Sequence, residues 1–270
     1  MKKITRRSFL MAAGLSAAAL ALTACGGSSS TASSVASSEA AASGLSTVVS
    51  GKLTMATNAA FPPYEMTTDA GDFEGIDIDT AKAIAEKLGL ELQIDDMDFD
   101  AALMSVQQGK ADIVMAGVTV TDERKLVMDF SNSYATGIQS VIVPEGSDIT
   151  DLDALAGKKI GTQRGTTGYI YCSDDFGEDA VVAYDNGLTA VQALNNGQVD
   201  CVVIDNAPAQ EFIAANPGLT ILDTHYAVED YAIGMGKGNT AMADAINGAL
   251  EELKADGTLQ AIVDKYITAE

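Results

Sequence analysis

Two stretches of this 270-residue chain follow the same local grammar, and that recurrence limits the fold more than any other feature. The pattern predicts a strand over 53–57, then a helix over 80–88 with Ala81, Ile84, Ala85 and Leu88 on one face and Gly89 as its stop. A strand follows near 90–94. Next comes a helix that aligns Phe99, Ala102, Leu103 and Val106 and ends at Gly109, and then a buried strand over 112–116. The order β-α-β-α-β returns at 159–163, 166–172, 181–184, 188–196 and 201–205. Segments 102–117 (ALMSVQQGKADIVMAG) and 190–205 (AVQALNNGQVDCVVID) align without a gap and share Ala, Gly, Asp and Val at matched positions. Shared helix-glycine-strand grammar and a true duplication both produce such a match. Strands alternating with helices at this spacing predict an α/β fold built on mostly parallel sheets covered on both faces. In a duplicated chain Gly117 and Asp205 end equivalent strands, and ligands of open α/β sheets sit beyond the carboxyl ends of strands.

Charge removes whole classes of function. The chain carries 38 acidic residues against 16 basic ones, a net charge of −22, so it lacks the cations needed to neutralise phosphates along a nucleic acid. One His argues against a His-ligated metal centre, and three Cys without C-x-x-C spacing exclude a zinc ribbon or a disulfide scaffold. Cys172 and Cys201 read as small buried apolar residues, with a disulfide left open by spacing alone. Asp96-Met-Asp98-Phe-Asp100 has the look of a calcium loop, but Ala101 and Gln107 stand where the Gly and Glu belong. The run from Gly161 to Thr166 lacks the Lys of a P-loop.

The N-terminus is an export signal in outline. Lys2, Lys3, Arg6 and Arg7 precede an apolar run over 9–22, which rises only about 21 Å as a helix, short of the roughly 30 Å hydrocarbon core. Thr5-Arg-Arg-Ser-Phe-Leu10 suits the twin-arginine route and the general secretory route equally well. Leu22-Thr-Ala-Cys25 resembles the bacterial lipobox, which implies cleavage after residue 24 and a diacylglyceryl anchor on Cys25. Residues 25–50 are Ser-rich with few bulky side chains, so they cannot bury enough surface to offset chain entropy and read as a disordered tether.

Beyond the strand over 112–116 lies the best candidate for chemistry. Ala116 and Gly117 at a strand end, the Thr119 hydroxyl and Arg124 in the first turn of a short helix at 122–126 can converge on one carboxylate, with Thr119 or Thr121 as the cap. Gly165-Thr166-Thr167-Gly168 at a helix start adds N–H groups suited to an anion.

Together these residues resemble the family 3 extracellular solute-binding proteins of polar amino acid ABC transporters. The resemblance rests on Asn58-Ala-Ala-Phe61-Pro-Pro-Tyr64-Glu65, Gly75-Ile-Asp77-Ile-Asp79, the run from Ala116 to Arg124, Gly165-Thr166-Thr167 and Asp256-Gly-Thr258. Thr80 departs from the bulky apolar residue usual there. The resemblance implies a two-lobed type II periplasmic-binding-protein fold: lobe 1 from 51–139 and 229–270, lobe 2 from 140–228, with hinges near 139–144 and 227–231. An apolar stripe of Met242, Ile246, Ala249, Leu250 and Leu253 is expected to return to lobe 1.

The same resemblance implies a ligand site. Arg124 would grip the α-carboxylate with help from Thr119, Thr166 and Thr167, while Asp205 and the carbonyl of Gly117, beside Ala116, would accept the α-ammonium. Phe61 and Phe99 would sandwich the side chain, Tyr64 would border it, and Asn58 and Gln163 would read its far end. The implied protein is a lipid-anchored monomer outside the cell membrane, on the periplasmic side if the cell has an outer membrane. It would need no cofactor or metal, and would hand a free amino acid to an ABC permease. The amide of Asn58 points first to a neutral or polar side chain, glutamine or cystine among them, and second to a basic one. Two other uses of the fold are a sensor that docks on a receptor and an exported dehydratase-like enzyme, whose acid or base could only be Asp205, Glu65 or Asp77.

Overall fold

The alternation of apolar runs and helical stripes does build two sheets. In the computed structural model, which describes residues 45–267, the first sheet runs Glu91–Asp96, Lys52–Thr57, Ile113–Val114, Gly234–Gly236, Met128–Phe130. The second runs Val181–Tyr184, Ile160–Gln163, Cys201–Asp205, Ala135–Pro144, Leu219–Ile221, with Ala227–Tyr231 also on Ala135–Pro144. A small antiparallel sheet of Ala60–Phe61, Glu65–Thr67 and Phe73–Glu74 sits beside the first. The export signal, Cys25 and most of the tether lie outside the described residues. Residues 45–50 are held in place despite their tether-like composition: Leu45 packs on the first core and the Val48 N–H donates to Asp112 at 2.8 Å.

The aligned segments take up the same place in each sheet. Helices Phe99–Gln107 and Gly187–Asn195 end before Gly109 (φ 65°) and Gly197 (φ 66°), left-handed turns that favour glycine. Asp112 accepts the N–H of Thr54 at 2.8 Å, and Asp200 accepts that of Lys159 at 2.7 Å. Strands Ile113–Val114 and Cys201–Asp205 then run parallel to the central strands Lys52–Thr57 and Ile160–Gln163.

Both sheets are mixed, where the sequence reading expected mostly parallel ones. Gly234–Gly236 enters the first sheet antiparallel, and Ala135–Pro144 enters the second antiparallel to three strands. Those returning strands lie outside the β-α-β runs, so alternation could not reveal their direction. Chain passes between the sheets along an antiparallel pair, Ala135–Gln139 against Ala227–Tyr231.

Helix Ile76–Leu88 starts four residues earlier than its apolar stripe suggested, because Gly75 takes φ 131° and turns the chain beside Tyr64. Thr80 is buried within it. Met242, Ile246, Ala249, Leu250 and Leu253 of helix Thr240–Ala255 are buried in one core with Leu53, Ile78 and Ile84, as their spacing predicted. A Cβ on Gly75 would fall onto the Tyr64 carbonyl in a backbone region that L-residues rarely adopt. Gly75→Ala is therefore expected to lose roughly 3 kcal/mol of unfolding free energy in urea titration; an unshifted midpoint would contradict this packing.

Candidate functional site

Strand ends from both sheets open onto one enclosed cleft. The first sheet's side supplies Asn58, Phe61, Phe99, Ala116, Gly117, Thr119 and Arg124; the second supplies Gln163, Thr166, Thr167 and Asp205. Eleven of the twelve pocket residues anticipated from sequence thus line a single cavity. Tyr64 is the exception. Its ring is buried in the first core, stacked at 5.8 Å behind Phe61 and edge-on at 5.4 Å to Tyr231, so it supports the wall without forming it.

Arg124 is held by short-range geometry. The Thr121 hydroxyl, and not that of Thr119, caps helix Asp122–Val127 by accepting the Arg124 N–H at 3.2 Å. The side chain then reaches back: Nη1 donates to the Thr119 carbonyl at 2.8 Å, Nη2 donates across the cleft to the Gly165 carbonyl at 3.1 Å, and the guanidinium lies 5.3 Å over the Phe99 ring. Only 8% of Arg124 is exposed, and among the described residues no carboxylate comes within ion-pair distance. Burial lowers its pKa, and the nearby charge of Glu229 opposes that shift.

Asp205 ends strand Cys201–Asp205 and caps helix Asn206–Ala215 through the Ala207 N–H at 3.1 Å. Its other oxygen accepts the Ile138 N–H at 2.7 Å and the Tyr231 hydroxyl at 2.8 Å. With 2% of the residue exposed, desolvation pushes its pKa up to about 6 against the pull of those three donors. It is a buried acid, not a solvated strand end. Gln163 Nε2 donates to Asn58 Oδ1 at 2.9 Å, so the two amides meet across the cleft, and Asn58 Nδ2 is anchored on the Met97 carbonyl. Thr166 caps helix Thr167–Phe176 by accepting the Tyr169 N–H.

Sequence reasoning left six lining or supporting residues out of the ligand site: Val203 and Ile204 of strand Cys201–Asp205, and four more. Gln139 and Tyr231 line it from the paired crossover strands, and Glu229 lies between them and the two threonines. Glu65 lines the pocket with no measurable exposure, and neither carboxyl oxygen meets a hydrogen-bond partner among the described residues. Burial and the neighbouring charge of Asp77 raise its pKa well above the usual carboxyl range. Asp77, bonded by the Gly117 N–H and the Tyr134 hydroxyl, is raised by burial to about 6. The signal for Glu65 was its place four residues after Phe61, past two prolines that turn the chain inward; Gln139, Glu229 and Tyr231 announce themselves only through tertiary pairing.

The model of the bacterial extracellular solute-binding proteins, family 3, matches residues 53–269. The chain belongs to this family. A probable histidine-binding protein of Neisseria gonorrhoeae is 34% identical over 96% of each chain, and the putative ABC transporter arginine-binding protein 2 of Escherichia coli is 31% identical over 82% of this chain and 93% of its own. Among solved structures, an ancestral arginine-binding protein bound to arginine is 42% identical, with a TM-score of 0.76 over 80% of this chain and 98% of its own. This solute-binding protein therefore has the two-lobed type II periplasmic-binding-protein architecture, with its cleft between the sheets.

Buried Asp205 gives the protein a pH signature. Its proton is held more tightly folded than unfolded, so its contribution favours the fold at low pH and is lost as pH rises from about 3.8 through about 6. Asp205→Asn removes that dependence. The variant-minus-wild-type difference in unfolding free energy should grow by on the order of 3 kcal/mol across that window and stay flat above it; parallel curves would contradict the burial of an ionised carboxylate here.

Proposed function

We propose that this protein captures a free amino acid between its lobes, with Arg124 on the α-carboxylate and Asp205 on the α-ammonium. The observation that carries this reading is one buried cation and one buried anion, on opposite walls of the same cleft, neither paired with an opposite side-chain charge. Each costs several kcal/mol to bury uncompensated, and a zwitterion answers both at once. Phe61 and Phe99 then flank the aliphatic part of the ligand, and Thr119, Thr166, Thr167 and the Gly117 backbone complete its polar shell. Because the two charges come from different walls, the ligand completes both pairs only in the shut form, so binding energy selects closure. Lobe 1 is then 51–139 with 229–270, and lobe 2 is 140–228.

Glu65 sharpens the ligand class. A fully buried carboxyl whose charged neighbours are other acids, Asp77 first, favours a ligand whose far end brings positive charge, so the basic side chain moves ahead of the neutral one that Asn58 alone suggested. L-Arginine is the first candidate, in keeping with the names of the relatives. Calorimetry against the twenty amino acids and cystine tests the class: Arg124→Ala should lose at least a hundredfold in affinity for the preferred ligand, and unchanged affinity would remove Arg124 from the site. Arginine should also lower the proton affinity of Glu65, which burial raises, and the linked proton release should be seen as a binding heat that varies with the ionisation enthalpy of the buffer. A buffer-independent heat would sink the role of Glu65.

We further propose that the chain is a lipid-anchored monomer. Cleavage after residue 24 leaves acylated Cys25 as anchor and the Ser-rich tether as leash, from which the loaded protein docks on an ABC permease. Cys25→Ala should move the protein from the membrane fraction to the medium or periplasm; retention on the membrane would refute the anchor.

A further inference from the structure

We infer that Glu229 is a closure latch, a positioning residue that stabilises the shut form whichever ligand occupies the cleft. It sits in strand Ala227–Tyr231, half of the antiparallel pair that joins the lobes, and is 6% exposed. Three donors from three parts of the molecule converge on its Oε2: the Thr119 hydroxyl from the first lobe at 3.2 Å, the Thr167 hydroxyl from the second at 3.0 Å, and Gln139 Nε2 from the partner crossover strand at 3.0 Å. The two hydroxyl oxygens themselves approach to 3.4 Å. Each hydroxyl has one hydrogen to give, and here both are given to the hinge carboxylate.

That arrangement couples hinge angle to electrostatics. Hydrogen bonds to a charged acceptor are about twice as strong as neutral ones, and Glu229 has no ion-pair partner among the described residues, so these donors act on it together with the more distant charge of Arg124. Opening the cleft draws Thr119 and Thr167 apart, and the carboxylate cannot keep both. The latch therefore weights the shut form before any amino acid arrives, which lowers the conformational cost that the ligand must meet.

The test is a distance measurement across the cleft on the full chain in a Cys25→Ser background, with spin labels at Met104→Cys and Leu188→Cys, both exposed positions. Cys172 and Cys201 are buried, and burial pushes their thiols up to about 12, so they stay unlabelled. In buffer without amino acid the unsubstituted chain should show a short-distance population, and Glu229→Gln should cut its ratio to the long-distance population roughly tenfold. Thr167→Val, which removes one strut, should act in the same direction and serves if Glu229→Gln does not fold. Superimposable distributions, or no short-distance population in the unsubstituted chain, would overturn the latch. Calorimetry with L-arginine on the same samples reads the proposed ligand separately, so a chain that binds no amino acid refutes the binding reading while the buffer measurement still decides the latch.

Discussion

The guanidinium of Arg124 sets the terms for the rest of this structure. It is almost wholly removed from water, yet its partners are two backbone carbonyls and an aromatic face, with no carboxylate in ion-pair reach among the described residues. Neutral acceptors satisfy its hydrogen-bond directions, and the charge of Glu229, beyond ion-pair reach, offsets its own only in part, a costly condition in a low-dielectric cleft. The opposite wall repeats the problem with reversed sign, since three donors surround Asp205 without neutralising it. The proposed zwitterion would bring both countercharges at a fixed separation to a cleft that keeps these two buried charges apart.

The fold is what keeps those charges apart. Arg124 hangs from a six-residue helix beyond the first sheet, and Asp205 ends a strand of the second, with the paired strands 135–139 and 227–231 running between the two sheets. The carboxylate of Glu229 in that pair has donors from both sides, so one cluster holds together the hinge and the two walls. Glu65, which lines the cleft, and Asp77 behind it add a second pair of buried acids beside the core that holds Tyr64 and Tyr134. Destabilising buried carboxyls and a binding role go together here, because the same desolvation that raises a pKa strengthens a later pairing.

Much of this was legible in the sequence because the informative residues have local jobs. The four identities shared by the aligned segments each answer to geometry: Ala102 and Ala190 are fully buried in helices, Gly109 and Gly197 turn left-handed, Asp112 and Asp200 accept backbone N–H groups, and Val114 and Val202 fill the cores. Arg124 and Thr119 were visible for the same reason, lying five residues apart at the entry to one short helix. The residues that escaped are those whose placement depends on distant pairing. Gln139, Glu229 and Tyr231 meet only because two crossover strands run antiparallel, and no local period encodes that. Tyr64 misled in the other direction: three residues from Phe61 it looks like part of the same aromatic wall, but the turn through Pro62 and Pro63 sends its ring into the core.

The most direct test of the account is a crystal structure of the protein soaked with or grown in L-arginine. It should place one carboxylate oxygen within 3 Å or so of a guanidinium nitrogen of Arg124 and the ligand ammonium at the same range from Asp205, both in the one cleft. An amino acid bound elsewhere, or bound there with its ends reversed, would contradict it.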